Sequence, residues 1–91
     1  MTLRVGIIGG GIRGQLFAET LQTRDDVTVA GMADPAQERL GWAEGIAKFP
    51  DHDTLLAGAD LDAVIVATPD FAHFDPVAAA ARRGLPILVE K

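Results

Sequence analysis

Three glycines near the amino terminus and a later carboxylate are the residues here with the clearest chemistry. Gly9, Gly11 and Gly14 form a G-x-G-x-x-G pattern after an apolar run, and Asp34 follows the third glycine by 20 residues. Gly9 permits a tight turn, Gly11 lets a pyrophosphate approach the backbone, and Gly14 lets a helix pack close to a sheet. The spacing predicts a dinucleotide-binding turn, with Asp34 accepting hydrogen bonds from the ribose of the adenosine half.

Neighbouring residues extend this candidate site. Ile12 and Arg13 start the predicted helix, where free N–H groups and the helix dipole attract phosphate. The Arg13 side chain either stays in solvent or leans toward the pyrophosphate.

Asp34 could cap the next helix through Asp-Pro instead of binding ribose, or it could do both, and we favour ribose binding. The 2′-phosphate of NADP would repel the carboxylate, which favours NAD, although Arg39 would soften this preference.

Composition limits the class of protein and its partners. The chain has 91 residues, 48% of them hydrophobic, which suits one small domain with a single core. A formal net charge of −5 argues against a nucleic-acid surface. The sequence has no cysteine, which excludes disulfides and thiolate metal sites and is compatible with a cytoplasmic protein. The first apolar run breaks at Gly9, so we expect neither a signal peptide nor a membrane span, and we expect no metal site.

Apolar runs alternate with helical patterns, which predicts an α/β fold, a doubly wound parallel sheet with helices on both faces. Strands are predicted at 3–8, 27–33, 47–49, 63–67 and 86–90. Helices are predicted at 12–24, 54–57 and 73–83, with a further one after Pro35. Asp53 is the predicted N-cap of the helix at 54–57.

Helical spacing also predicts which side chains are buried. The apolar face of the first helix would consist of Ile12, Leu16, Phe17 and Leu21. The residues pointing inward from the helix after Pro35 would be Leu40, Ala43 and Ala47.

The predicted strand order is 3-2-1-4-5, one strand short of the full doubly wound sheet. We therefore expect residues 1–91 to form a dinucleotide-binding domain that is truncated before the sixth strand. The last strand would then be an apolar edge strand without cover, which favours self-association.

The motifs resemble those of the N-terminal nucleotide-binding domain of the Gfo/Idh/MocA oxidoreductases, the family of glucose-fructose oxidoreductase and inositol dehydrogenase. The resemblance covers nearly the whole chain. It rests on V-G-I-I-G-G-G-I-R-G, A-D-P at 33–35, L-D-A-V-I-V-A-T-P at 61–69, T-P-x-x-x-H ending at His73, and V-E-K at 89–91. In this family a second domain binds substrate and supplies an acid/base residue, and we expect that domain to be absent from this chain.

The resemblance implies roles for residues after the fourth and fifth strands. Thr68 and Pro69 would form a loop along the cofactor, with His73 near it. Glu90 and Lys91 would lie by the nicotinamide ribose, and Lys91 would be the catalytic residue, contacting both the cofactor and the substrate hydroxyl. From the sequence alone, His73 is equally well explained as a residue that starts a helix.

The resemblance implies an NAD(P)-dependent oxidoreductase acting on a CH–OH group of a sugar, polyol or related substrate. We expect the isolated chain to bind a dinucleotide without turning over substrate. A non-catalytic NAD(P)-sensing regulator of the same fold is the alternative, since some family members act as transcriptional regulators. A CoA-binding or methyltransferase domain is a third reading, which Glu90-Lys91 and T-P-x-x-x-H disfavour.

Overall fold

The computed structural model describes residues 2–69 and 72–90. The described residues form five parallel strands in one sheet, three α-helices and a short 3-10 helix. The strands are β1 (Leu3–Ile8), β2 (Val27–Ala33), β3 (Lys48–Phe49), β4 (Ala63–Val66) and β5 (Ile87–Val89). The α-helices are α1 (Ile12–Gln22), α2 (His52–Gly58) and α3 (Phe74–Arg82), and the 3-10 helix covers Gln37–Leu40.

The strand order is β3-β2-β1-β4-β5, which confirms the order predicted from the sequence. Ile8 pairs with Ala33 of β2 and Val66 of β4, and Val66 pairs in turn with Val89 of β5. The carboxyl ends of the four longer strands therefore meet at one edge. In doubly wound sheets ligands bind at this edge, where the chain changes direction from β1.

The core lies on both faces of the sheet, and the central strands contribute to each. On one face Ile7 and Ile65 pack with Ala18 of α1. On the other face Val64 and Val66 pack with residues of α2 and α3. β4 is therefore apolar on both faces, as a buried parallel strand should be.

The predicted buried face of α1 is partly wrong. Phe17 and Leu21 are partly buried against the core, but Ile12 is 88% exposed and Leu16 is 55% exposed. The buried residues of α1 are the small ones, Gly14 and Ala18. A helix that lies this close to the sheet presents its small side chains to the sheet, so larger residues move to its flanks.

The helix predicted after Pro35 does not form as an α-helix. Only Gln37–Leu40 is helical, as a 3-10 turn, and Gly45 has a φ of 77°, which an α-helix does not allow. Leu40 and Ala43 are buried as predicted, but Ala47 is exposed. Its carbonyl accepts a hydrogen bond of 2.9 Å from Met32 N, because the chain is already aligning with β2 to form β3.

The N-cap of α2 is Asp51, not the predicted Asp53. Asp51 Oδ1 accepts hydrogen bonds of 2.7 Å from both the backbone N–H and the hydroxyl of Thr54. Asp53 lies inside the first turn, because the helix starts at His52. Within residues 2–69 and 72–90, no helix has the length and apolar character needed to cross a membrane.

Candidate dinucleotide site

The candidate site is a cavity of about 590 Å³ at the carboxyl edge of the sheet. Its walls come from the turn after β1, the end of β2 with the segment that follows, the start of α2, and the loop after β4. The sequence-predicted residues that line it are Gly9, Gly11, Ile12, Arg13, Asp34, Thr68 and Pro69. The topology thus gathers most of the candidate residues into one space.

The glycine-rich turn depends on close backbone contacts. Gly9 has a φ of 110°, and a Cβ there would lie 2.8 Å from the carbonyl carbon and oxygen of Ala67. A Cβ on Gly14 would lie 1.9 Å from the carbonyl oxygen of Gly9. Gly11 differs, because a Cβ there would meet no heavy atom within 4 Å. Gly9 and Gly14 therefore allow the turn itself, whereas Gly11 leaves space in front of it.

The start of α1 is suited to an anion. Gly11 is its N-cap and provides no side-chain hydrogen bond to the first turn, and that turn of α1 contains no acidic residue. The first N–H groups of a helix have no partner within the helix, and the helix dipole adds positive potential at this end. A pyrophosphate at Gly11 would be held by these groups.

Asp34 is the buried carboxylate of the site, only 5% exposed. Its Oδ2 accepts a hydrogen bond of 2.8 Å from Gly10 N, and its Oδ1 accepts one of 2.8 Å from Ala36 N. The Arg39 guanidinium lies 3.9 Å from Oδ2. Asp34 therefore binds the segment after it, as an Asp-Pro cap would, and also holds the glycine-rich turn. The bond to Gly10 was not predicted, since nothing in the spacing distinguishes Gly10 from its neighbours.

The loop after β4 is held by His73. Its Nε2 lies 2.5 Å from the Thr68 carbonyl oxygen, and the Thr68 hydroxyl donates to the Ala72 carbonyl at 3.2 Å. Thr68 and Pro69 line the cavity, whereas His73 is the N-cap of α3 and is not one of the lining residues. His73 therefore starts a helix, as one of its two sequence interpretations has it, and it contacts the loop rather than lining the cavity; its role at the cofactor remains a prediction.

Glu90 follows β5 and pairs with Arg13. Arg13 Nη1 lies 2.9 Å from Glu90 Oε1, and Glu90 N donates to the Val66 carbonyl at 2.9 Å. Reasoning from the sequence placed both residues at the site but missed their ion pair. The predicted catalytic residue Lys91 lies outside the described residues, as do Asp70 and Phe71. Among the described residues, no group of three or more His, Asp or Glu side chains is arranged to hold a metal.

Comparison with known proteins agrees with this geometry. A profile of the oxidoreductase family with an NAD-binding Rossmann fold, Gfo/Idh/MocA, matches residues 3–91. The rhizopine catabolism protein MocA of Rhizobium meliloti is 39% identical over 90 residues, which cover 97% of this chain and 28% of that protein.

Two solved structures have the same fold over nearly the whole chain. A myo-inositol dehydrogenase from Corynebacterium glutamicum matches with a TM-score of 0.89 and 32% identity, over 100% of this chain and 28% of its own. A scyllo-inositol dehydrogenase from Lactobacillus casei, with bound NAD(H) and scyllo-inositol, matches with a TM-score of 0.91 and 27% identity, over the same shares of the two chains. The chain thus spans 28% of the length of the relatives it matches. It belongs to the Gfo/Idh/MocA oxidoreductase family and has that family's NAD-binding Rossmann fold.

Proposed function

We propose that this chain is the dinucleotide-binding domain of an NAD-dependent oxidoreductase that acts on a CH–OH group of a sugar, polyol or related substrate. The observation that carries the proposal is the cavity that joins the glycine-rich turn to Asp34 at the carboxyl edge of the sheet. Several relatives are named inositol dehydrogenases, which supports a polyol-like substrate. The proposal includes a cytoplasmic setting, with neither nucleic acid nor membrane as a partner.

Different residues of the cavity would bind different parts of the dinucleotide. Gly11 and the start of α1 would receive the pyrophosphate, and Asp34 would face the adenosine ribose while it holds Gly10. Thr68 and Pro69 would lie along the other half of the dinucleotide. The bound dinucleotide supplies a hydride acceptor or donor, which the side chains of this chain do not.

We further propose that the 91-residue chain binds a dinucleotide but does not turn over substrate. Hydride transfer needs the two reacting carbons held in contact, a group that moves the hydroxyl proton, and walls that exclude water. The resemblance assigns the acid/base residue and the substrate walls to a second domain.

Cofactor preference tests the assignment of Asp34. Two like charges about 4 Å apart cost about 1 kcal/mol in water and several times more when partly shielded, so NADPH should bind about tenfold or more weakly than NADH. Fluorescence titration with each reduced dinucleotide measures the two dissociation constants. Arg39→Gln, which removes the nearby cation, should widen the difference. Equal or tighter binding of NADPH would contradict the ribose role of Asp34.

Turnover tests the second part of the proposal. The chain is incubated with NAD and a panel of sugars and polyols, and NADH formation is followed by absorbance, with NADH binding measured on the same sample. Binding without turnover is expected, and appreciable turnover would show that the acid/base residue and the substrate walls were wrongly assigned to a second domain. The same assay on a protein that contains this domain and a second domain tests the regulator alternative, which predicts binding without turnover there as well.

A further inference from the structure

The Arg13–Glu90 ion pair joins the wall of the candidate site to Glu90, which lies outside the cavity lining and 77 residues away in the sequence. Arg13 lies in the first turn of α1 and lines the cavity, and Glu90 follows β5. Their side chains are 61% and 26% exposed, so the pair contributes little to stability. A small contribution to stability leaves the position of the pair beside the cavity to be explained by a role in binding.

The pair lies on the side of the site away from Asp34. Asp34 ends β2, whereas the ion pair runs from the β1 turn past the end of β4 to the end of β5. A dinucleotide bound to such a sheet lies across the carboxyl end of β1, where the strand order changes direction, with its adenosine half at the carboxylate that follows the second strand. Its nicotinamide half therefore extends over β4 and β5, toward Glu90. This step rests on the proposed function.

We propose that the Arg13–Glu90 pair balances the charge at the nicotinamide end and so sets the relative affinity for oxidised and reduced dinucleotide. The nicotinamide ring of NAD⁺ carries a positive charge, and that of NADH is neutral. An unpaired carboxylate near the ring favours NAD⁺, and an unpaired guanidinium disfavours it. When the two side chains are paired, their charges largely cancel at the ring, so neither NAD⁺ nor NADH is bound much more tightly than the other.

The two single substitutions should therefore act in opposite directions. Arg13→Gln leaves Glu90 unpaired and should raise the affinity for NAD⁺ relative to NADH. Glu90→Gln leaves Arg13 unpaired and should lower it. At separations of several ångströms in a partly solvated cavity, each shift should be about threefold or more. The double variant Arg13→Gln/Glu90→Gln removes both charges and should return the ratio to near the wild-type value.

The experiment measures dissociation constants for NAD⁺ and NADH by calorimetry, for the wild type and the three variants. Asp34, Arg39 and Lys91 are unchanged throughout, so their charges cancel from the comparison. Arg24→Gln is the matched control, because Arg24 Nε lies 2.9 Å from Asp26 Oδ1 in an exposed pair between α1 and β2. It should leave the ratio unchanged.

ADP-ribose, which lacks the nicotinamide ring, separates this role from a simple phosphate contact. Opposite shifts in the NAD⁺ to NADH ratio, with similar ADP-ribose affinity in all variants, support the proposal. An unchanged ratio, or shifts in the same direction, overturns it. If Arg13→Gln weakens ADP-ribose and both dinucleotides equally, Arg13 is a phosphate ligand and the charge-balance role is wrong. A wild type that binds none of the three ligands rejects the proposed function itself.

Discussion

Asp34 has a structural role in the turn, and we propose that the same side chain also binds the dinucleotide. Its two oxygens accept hydrogen bonds from Gly10 N and Ala36 N, and it also faces the cavity. The carboxylate therefore shapes the turn that would bind pyrophosphate, in addition to any contact with ribose. A substitution at this position changes the fold and the site together.

Asp34→Ala should lower the free energy of unfolding by about 2 kcal/mol, since it leaves the buried N–H of Gly10 and the partly buried N–H of Ala36 without their acceptor. NADH binding should weaken as well. Asp34→Asn is the comparison, because its amide oxygen can keep one of the two bonds and its loss should be smaller. Urea unfolding and NADH titration measure both effects. Unchanged stability of Asp34→Ala would show that these hydrogen bonds contribute nothing.

Substitutions at two glycines of the turn should distinguish an effect on stability from an effect on dinucleotide binding. Gly14→Ala places a Cβ 1.9 Å from the Gly9 carbonyl oxygen, so α1 must move away from the turn. Overpacking of this kind should cost about 2 kcal/mol or more. Gly11→Ala meets no neighbour within 4 Å and has an ordinary φ of −74°, so its stability should change by less than about 0.5 kcal/mol.

Gly11→Ala should nevertheless weaken NADH binding, because its methyl group occupies the space in front of the start of α1. Thermal unfolding and NADH titration of both variants provide the test. The reverse pattern, with Gly11→Ala destabilised and Gly14→Ala unaffected, would contradict the assignment of the two glycines.

Among the elements, α2 depends on a cap that local spacing did not identify. Asp51 and Asp53 both lie near the helix start, but Asp51 alone of the two is the N-cap. The hydrogen bonds from Thr54 lower the pKa of the Asp51 carboxyl below its ordinary value. The Asp51 contribution to stability is therefore present above the unfolded-state pKa, near 4, and is lost as the pH falls through the lower folded-state pKa.

Asp51→Ala should lower the melting temperature at pH 7, and the difference from wild type should shrink as the pH falls below about 4. Asp53→Ala is the matched control, because Asp53 lies two residues further on in the first turn of the helix and does not accept the cap hydrogen bonds, and it should have a smaller effect. Melting curves from pH 7 to pH 2.5 measure both. A larger loss for Asp53→Ala would mean that the helix starts where the sequence pattern placed it.

At the scale of the whole molecule, one end of the sheet is open among the described residues. β5 is an edge strand, and its Leu88 and Val89 are 51% and 43% exposed. A second cavity of about 330 Å³ lies beside it, with an almost entirely apolar lining that includes Leu3, Leu21, Ile65 and Leu88. An open strand edge next to an apolar surface is suited to pairing with another copy of the chain.

We expect the chain to self-associate through this edge, so its apparent mass in light scattering should rise with concentration. Leu88→Glu should keep the protein monomeric to higher concentration, since it places a charge in the contact. Phe74→Glu is the control, because Phe74 is 79% exposed on α3 rather than at this edge, and it should not change the association. A wild type that stays monomeric at high concentration would argue against this interface.

The sequence alone determined the strands, their order and the position of the glycine-rich turn. These features have local signatures: apolar runs of strand length, glycines at fixed spacing, and Asp34 at the end of the second run. The parallel order then brings the strand ends to one edge, so most of the candidate site could be predicted without side-chain contacts. The family resemblance added Thr68, Pro69 and Glu90, whose roles remain predictions.

Tertiary structure alone decided the features that depend on distant partners. The buried face of α1 consists of small residues because the helix packs closely on the sheet. The segment after Pro35 does not continue as a helix, because its end aligns beside β2 to form β3. The hydrogen bond between Gly10 and Asp34 joins residues 24 positions apart, and the ion pair between Arg13 and Glu90 joins residues 77 positions apart. Such contacts leave no periodicity in the chain, because they arise only when separate elements are packed side by side.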